Sequence, residues 1–331
     1  MNIQGIRGHE NQLKYLSHLK RGGMIPHALL FTGQNGIGKR LIAERFAASV
    51  FCCAEDSPCF RCAACMQMKA GSYPDYILLE RDEKGKIPVG NSDRREPGSV
   101  RWMIERLTRS SVNGKYFAVV DGVETISEAG QNALLKTVEE PGDDSHIILI
   151  AESKSGILPT IVSRCIEIGF NPLPVYHIEA IIGDKLAANP NSGIIASVCG
   201  GSVEAALRLN DEKIFDSLLA ICRDISAVVK GAGGGSRFQE LMAGGDNSFL
   251  LTVLINIYSF MLREDIEGGG SSLPADIIIG ASEAEKVVKI LLAIKKGLKN
   301  NLNIRNFLKG MLASVADMKR TGFPEPDFSW L

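Results

Sequence analysis

The stretch HALLFTGQNGIGKR, residues 27–40, decides the fold of the first half of this chain. Its apolar run ends in Gly33, as a buried strand does, and the glycine-rich turn that follows opens the helical spacing of 39–51. In a strand–turn–helix unit of this kind the backbone N–H groups point at phosphate oxygens, and Lys39 adds positive charge near the outer phosphates. The stretch therefore predicts a nucleotide loop. A glycine turn with an incidental lysine is the alternative.

The last position of the loop departs from the phosphate-binding pattern G-x-x-x-x-G-K-[ST]. Gly33, Gly38 and Lys39 fit the pattern and Gly36 lies between them, but Arg40 stands where a hydroxyl residue is expected. That hydroxyl normally ligates magnesium, which a guanidinium cannot do because it has no acceptor atom. The loop therefore keeps the form of a nucleotide site, while Arg40 argues against ordinary ATP or ADP binding.

Strand and helix patterns alternate along the rest of the first half. Further strands are predicted at 75–80, 115–122, 145–153 and within 160–170, and helices at 98–111, 127–141 and the start of 160–170. Strands separated by helices indicate an α/β fold with a parallel sheet covered on both faces. The mixed charges of 81–96 predict a solvated loop.

The pattern after residue 174 is helical to the C-terminus. Helices are predicted at 175–187, 192–198, 202–209, 211–230, 236–244, 247–264, 274–298 and 303–319. A chain of 331 residues is longer than a single core usually serves, so two or three domains are expected.

Five of the eight cysteines cluster early in the chain. Cys59, Cys62 and Cys65 form C-x-x-C-x-x-C, and Cys52 or Cys53 supplies a fourth thiol upstream. Four thiolates suit tetrahedral zinc. In a reducing compartment, a cysteine cluster of this kind indicates metal binding rather than disulfides. No general acid or base falls within the segment, so the zinc would be structural. Iron–sulfur ligation and free surface thiols are the alternatives.

Composition limits the function classes. A hydrophobic content of 45% and a charged content of 23% are ordinary for a globular protein. Neither a signal-peptide layout nor an apolar run of membrane-spanning length is found, so the cytoplasm is expected. A zinc-dependent nucleic-acid-binding module would need a basic excess, and the net charge of −1 argues against it. Any DNA contact is therefore expected to be shared with partners.

The phosphate loop, the cysteine insertion, NALLKTVEEP (132–141) and SRC (163–165) follow one another in a specific order. With them the chain resembles the clamp-loader branch of the AAA+ proteins, and within it the delta-prime subunits of bacterial DNA polymerase III. The resemblance covers about the first 210 residues well and the rest only in position and class. It implies an AAA+ RecA-like domain over 1–170 with a zinc module at 52–65, a helical lid over 171–210 and an all-α collar over 211–331.

The resemblance also implies a role. In this family the subunits form a clamp-loader complex, which is part of the DNA polymerase III holoenzyme (a nucleotidyltransferase). The complex uses ATP to place the ring-shaped sliding clamp on primed DNA. The delta-prime subunit assembles with gamma or tau and delta subunits, does not hydrolyse ATP, and presents the arginine of its Ser-Arg-Cys motif to a neighbour's ATP site. Carried over, Arg164 is an arginine finger acting in trans, and Ser163 and Cys165 set the short helix that aims it. An ordinary interface arginine is the alternative.

Two further assignments depend on the resemblance. Cys52 is favoured over Cys53 as the fourth zinc ligand because it follows the helix as the family's cysteine does. Lys136 and Glu139 of the 132–141 stretch either contact neighbours and DNA, as the resemblance implies, or form a solvated helix pair.

The nucleotide site differs from that of active family members at three positions. The strand FAVVDG ends in Asp121, a candidate magnesium-shell carboxylate, but Gly122 stands where the water-orienting glutamate is usual, and Glu124 is out of register. Glu204 stands where active members place an arginine on the bound nucleotide. Together with Arg40, these changes favour a non-hydrolysing subunit over an active motor ATPase similar to the gamma or tau subunit.

Overall fold

The computed structural model describes residues 6–91, 96–109, 111–140, 142, 145–185, 189–231, 247–267 and 273–299. The chain divides into two compact units, Met1–Leu173 and Pro174–Leu331. The helices predicted at 236–244 and 303–319 lie outside the described residues.

The first unit contains a five-stranded sheet. Its strands are β1 (Ala28–Thr32), β2 (Tyr76–Leu79), β3 (Tyr116–Asp121), β4 (Ser145–Ala151) and β5 (Ile166–Gly169). The order is β2-β3-β4-β1-β5 and every pair is parallel. The α/β class with a parallel sheet is thus confirmed. In the register of the sheet, Thr32 of β1 lies beside Ala151 of β4 and Asp121 of β3 beside Ile150, so the loop after β1 and the end of β3 share one edge.

Helices connect these strands. They are α1 (Glu10–Gly22), α2 (Lys39–Phe51), α3 (Ala63–Lys69), α4 (Val100–Leu107), α5 (Glu128–Glu139) and α6 (Pro159–Val162). The hydroxyls of Ser99 and Ser127 cap α4 and α5 by accepting backbone N–H groups. Helices α1 and α3 were not predicted from the sequence, and the predictions for α4 and α5 ran past the observed ends of these helices.

The two faces of the sheet bury different sets of side chains. Because neighbouring residues of a strand point to opposite faces, Phe117 and Val119 of β3 join the core that contains α1 and α2. Ala118 and Val120 join the core that contains α4 and α5. Each large apolar side chain buried in this way contributes roughly 1.5–3 kcal/mol. The sheet is therefore a fixed support for the loops at its carboxyl edge.

The second unit is helical in all of its described regular structure. Its helices are α7 (Val175–Lys185), α8 (Ser192–Val198), α9 (Val203–Leu209), α10 (Glu212–Lys230), α11 (Asn247–Glu267) and α12 (Ala281–Lys299). The prediction that a helix runs over 274–298 was wrong at its start, since Ile277 and Ile279 are buried in irregular chain before α12. Within the described residues, no helix is both long and apolar enough to cross a membrane.

Candidate functional site

The glycine-rich loop adopts a backbone that needs its glycines. Gly33, Gly36 and Gly38 have φ values of 144°, 75° and 102°, in the region that side chains disfavour. A Cβ atom at Gly33 would overlap the carbonyl oxygen of Phe170, so a side chain is excluded there by sterics as well. The loop therefore retains the tight turn between β1 and α2 that a phosphate cradle requires.

The ammonium group of Lys39 bonds to the loop itself. Its Nζ donates to the carbonyl oxygens of Gly33 at 2.5 Å and Gln34 at 2.7 Å, and only 4% of the residue is exposed. Burial lowers the pKa of Lys39, and the nearby carboxylates of Asp121 and Glu152 oppose that shift. The lysine thus stabilises the closed form of the turn.

Arg40 lies among three carboxylates. Its Nε is 2.8 Å from Oε1 of Glu44, and its Nη1 is 2.6 Å from Oε2 of Glu80 and 3.7 Å from Oδ2 of Asp121. Burial opposes the charged form, but hydrogen bonds to Glu44 and Glu80 outweigh it and raise the pKa of Arg40. A permanent cation therefore stands beside the carboxylate that the sequence assigned to a magnesium shell.

Arg81 covers the position after that carboxylate. Gly122 has a φ of 106°, and a Cβ atom there would overlap the guanidinium of Arg81. Nη2 of Arg81 is 3.4 Å from Oε1 of Glu124, which also accepts the backbone N–H of Glu152 at 3.3 Å. The prediction of a solvated loop over 81–96 was therefore wrong for Arg81. Its position, together with the positive φ of Gly122, disfavours a glutamate side chain after Asp121.

The third altered position belongs to the second unit. Glu204 lies exposed in the first turn of α9, where Ser202 caps the helix by accepting the backbone N–H of Ala205 at 3.2 Å. A carboxylate in the first turn of a helix interacts favourably with the helix dipole, so Glu204 also has a local structural role.

Four of the clustered cysteines meet at one point. The sulfur atoms of Cys52, Cys59, Cys62 and Cys65 all lie within 4.8 Å of one another, and the pair from Cys62 and Cys52 is 3.9 Å apart. A tetrahedral zinc with Zn–S bonds of about 2.3 Å separates its sulfurs by about 3.8 Å, so the four thiols fit that ion. The Cys53 side chain is exposed and lies outside the group.

Local structure explains how these thiols converge. Cys52 directly follows the end of α2, and Cys65 lies in the first turn of α3. Backbone N–H groups of Arg61 and Cys62 point at the sulfur of Cys59 and lower its pKa to about 6. Burial raises the pKa of the Cys65 thiol to about 12. Zinc ligands must be deprotonated, and N–H donors of this kind stabilise the thiolate form.

Arg164 follows the short helix α6 and contacts two elements. Its Nη1 donates to the Thr160 carbonyl at 3.0 Å and to Ser163 Oγ at 3.4 Å. Its Nε lies 2.7 Å from Oε1 of Glu139, the last residue of α5, and the side chain is 40% exposed. Cys165 packs against the sheet core, and burial raises its pKa to about 11.

Glu139 pairs with Arg164 and not with Lys136, the partner that the sequence suggested within the same helix. Among the described residues, no ion pair joins Lys136 to Glu139, and both side chains are exposed. The contact with Arg164 joins two segments 25 positions apart in the chain. Sequence spacing alone gives no signal for such a contact.

Curated relatives of the chain match it over a large part of its length. The chain is 29% identical to the delta-prime subunit of DNA polymerase III from Pseudomonas aeruginosa over 80% of this chain and 78% of that protein. It is 35% identical to the delta-prime subunit from Haemophilus influenzae over 43% of this chain and 42% of that protein. It is 28% identical to the tau subunit from Escherichia coli over 63% of this chain and 32% of that protein. The chain thus spans less than half of the last two relatives.

A solved structure and a family profile complete the comparison. A gamma-subunit-related protein of DNA polymerase III from Thermotoga maritima aligns at a TM-score of 0.49 and 17% identity, over 92% of this chain and 99% of that chain. The family described as DNA polymerase III, delta subunit, matches residues 8–174, just over half of the chain. With the delta-prime relatives above, this match shows that the chain belongs to the delta-prime family of DNA polymerase III clamp-loader subunits.

Proposed function

We propose that this chain is a non-hydrolysing subunit of the clamp loader, which supports ATP-driven loading of the sliding clamp onto primed DNA. It works in the cytoplasm at replication forks, within a hetero-oligomer that contains gamma or tau and delta subunits. The clamp and the primer–template DNA are reached through that complex. Its helical lid spans 171–210 and its collar spans 211–331.

The observation that carries the non-hydrolysing role is the position of Arg40. A magnesium ion would need an uncovered Asp121 carboxylate and a hydroxyl from the residue after Lys39. Arg40 supplies a cation 3.7 Å from that carboxylate and offers no acceptor atom. Arg81 adds a second obstacle because it covers Gly122, where a water-orienting acid would have to stand. Two groups needed for metal-dependent attack by water on a phosphate are therefore missing at this site: the hydroxyl that ligates magnesium and the acid that orients the water.

Arg164 is the group through which the chain assists a neighbour. A guanidinium presented in trans stabilises the charge that spreads over a transferring phosphoryl group, and its planar fork can bind two oxygens at once. The side chain is partly exposed at the end of α6, on a segment fixed to the core by Cys165. Ser163 closes the turn by donating to the Thr160 carbonyl at 3.1 Å.

The four-thiol group is proposed to hold a structural zinc. Cys52, Cys59, Cys62 and Cys65 would bind it, and the ion would link the end of α2 to the start of α3. Metal analysis of the purified chain should give about one zinc, by the four-thiolate geometry. Cys62→Ser should lose the metal and Cys53→Ser should keep it. Loss in Cys53→Ser with retention in Cys52→Ser would reverse the choice of ligand.

The test of the non-hydrolysing role uses the isolated full-length chain. Nucleotide-binding calorimetry is run beside a turnover assay with ATP and magnesium. We expect no turnover, because Arg40 occupies the position beside Asp121 where magnesium would bind. Magnesium-dependent hydrolysis at a rate that Lys39→Ala abolishes would instead support the motor ATPase, the alternative function.

A further inference from the structure

The ion pair between Glu139 and Arg164 places a carboxylate 2.7 Å from the proposed arginine finger. A carboxylate beside an arginine that meets phosphate competes with that phosphate, unless it serves to hold the arginine in place. We propose that Glu139 is a positioning residue for Arg164, fixing the guanidinium before the neighbour's nucleotide arrives. This inference rests on the proposed function of Arg164.

The contacts of Arg164 define an orientation as well as a location. Glu139 contacts Nε, whereas the Thr160 carbonyl and Ser163 Oγ contact Nη1. Two different nitrogens are therefore held by acceptors from two segments, α5 and α6. Because the planar guanidinium is held at both Nε and Nη1, its rotation is restricted as well as its position. Arginine has five N–H donors, so donors remain for a phosphate after these contacts are made.

The elements that carry the acceptors are themselves fixed. Ser127 caps the N-terminus of α5, Leu134 anchors the helix in the core beneath the sheet, and Val138 is buried as well. Ile161 anchors α6 in the same core. Glu139 therefore extends from the last turn of a helix that is packed in the core, and the pair links two elements of one packed layer. This is the arrangement by which an outer residue orients a group that does the chemistry.

Pre-orientation has a physical benefit for a finger that acts in trans. A free arginine side chain has many rotamers, and binding to a phosphate restricts them at the moment of encounter. A side chain that is already restricted loses less freedom at that step, and its donors are aligned with the developing charge. Removing Glu139 should therefore reduce the rate of the chemical step and leave ATP binding to the neighbour unchanged.

The experiment uses the clamp loader reconstituted with variants of the full chain, and measures kcat and KM for ATP with clamp and DNA present. Glu139→Ala should lower kcat by roughly tenfold, the lower end of the range known for residues that orient metal ligands, with KM unchanged. Glu139→Gln should restore part of the loss, because its amide oxygen still accepts a hydrogen bond. Glu140→Ala is the matched control, since it removes the same charge from the adjacent exposed position and should have no effect.

A double-mutant cycle separates positioning from an independent surface effect. In an Arg164→Ala background, Glu139→Ala should have no further effect on kcat, because the group it orients is gone. Additive losses would overturn the inference. A higher kcat or a lower KM in Glu139→Ala would also overturn it, because Glu139 would then be a competitor of the phosphate.

A second measurement distinguishes a failure of the positioning role of Glu139 from a failure of the finger role of Arg164. Nitrogen-15 NMR of the arginine-labelled full chain reports the exchange of the Arg164 Nε–H with solvent, which should be slow in wild type and faster in Glu139→Ala. Equal exchange rates overturn the positioning role. If exchange changes and Arg164→Ala lowers kcat while Glu139→Ala does not, the finger stands and its positioning by Glu139 is wrong. If Arg164→Ala itself has no effect, both are wrong.

Discussion

Arg40 and Arg164 are almost equally exposed, at 41% and 40% of their side chains, yet their surroundings differ. Arg40 is surrounded by three carboxylates, so its charge is more than balanced by its own chain. Arg164 is held by one carboxylate and two neutral oxygens. Exposure alone therefore does not identify a functional arginine. The number of carboxylates around each guanidinium decides the net charge that a partner's phosphate would meet, which is negative at Arg40 and close to zero at Arg164.

Replacing each arginine by lysine in the reconstituted loader should give the largest difference in ATP turnover between the two positions. Arg164→Lys keeps the charge but removes the planar fork, so turnover at the site it serves should lose much of the ~10³-fold or more that an arginine finger supplies. Arg40→Lys should leave turnover of the complex unchanged. Steady-state ATPase assays with clamp and DNA measure both, and equal losses in the two variants would end the distinction.

A second variant attempts to repair the chain's own site. Arg40→Thr combined with Gly122→Glu restores the two residue types that the active pattern needs. We still expect no turnover from the isolated chain, because a side chain at position 122 overlaps the guanidinium of Arg81. A phosphate-release assay with magnesium and ATP checks this. Turnover well above that of the unmodified chain would mean that Arg81 moves aside readily and that the site is only two substitutions from activity.

The smallest effect concerns stability. Arg40→Ala removes the cation between three carboxylates, whose mutual repulsion then acts against the fold. Because all four of these side chains are partly exposed, the change in unfolding free energy should be no more than about 1 kcal/mol and smaller still at high salt. Urea denaturation at two salt concentrations measures it. A loss of several kcal/mol would show that Arg40 holds the loop together, rather than only balancing its charges.

Most of the sheet was predictable because the strands β1 to β4 are short, largely apolar runs. Helix α1 was not, because only Leu13 and Leu16 of its residues are buried and His9 before it provides no side-chain cap. The helix predicted over 274–298 began too early, in a segment that contains Ile277 and Ile279. Their apolar character reflects burial in an irregular segment, and periodicity cannot distinguish that from a helix.

The candidate site was predictable where residue spacing fixes the geometry. The loop glycines and the four thiols are close in sequence, so their types and intervals already restrict how they meet. The contacts of Arg81 with Gly122 and of Glu139 with Arg164 were not predictable in this way. Each joins segments that only the folded sheet brings together, and the charges around Arg81 are typical of a solvated loop.

The central claim is that the chain contributes a cation to a neighbour's ATP site and performs no chemistry at its own. The most direct test compares Arg164→Ala and Lys39→Ala in the reconstituted loader, by its clamp- and DNA-stimulated ATPase rate, after confirming that both variants fold and assemble. We expect a large loss of that rate with Arg164→Ala and a nearly unchanged rate with Lys39→Ala. An unchanged rate with Arg164→Ala, or a large loss with Lys39→Ala in an intact complex, would contradict it.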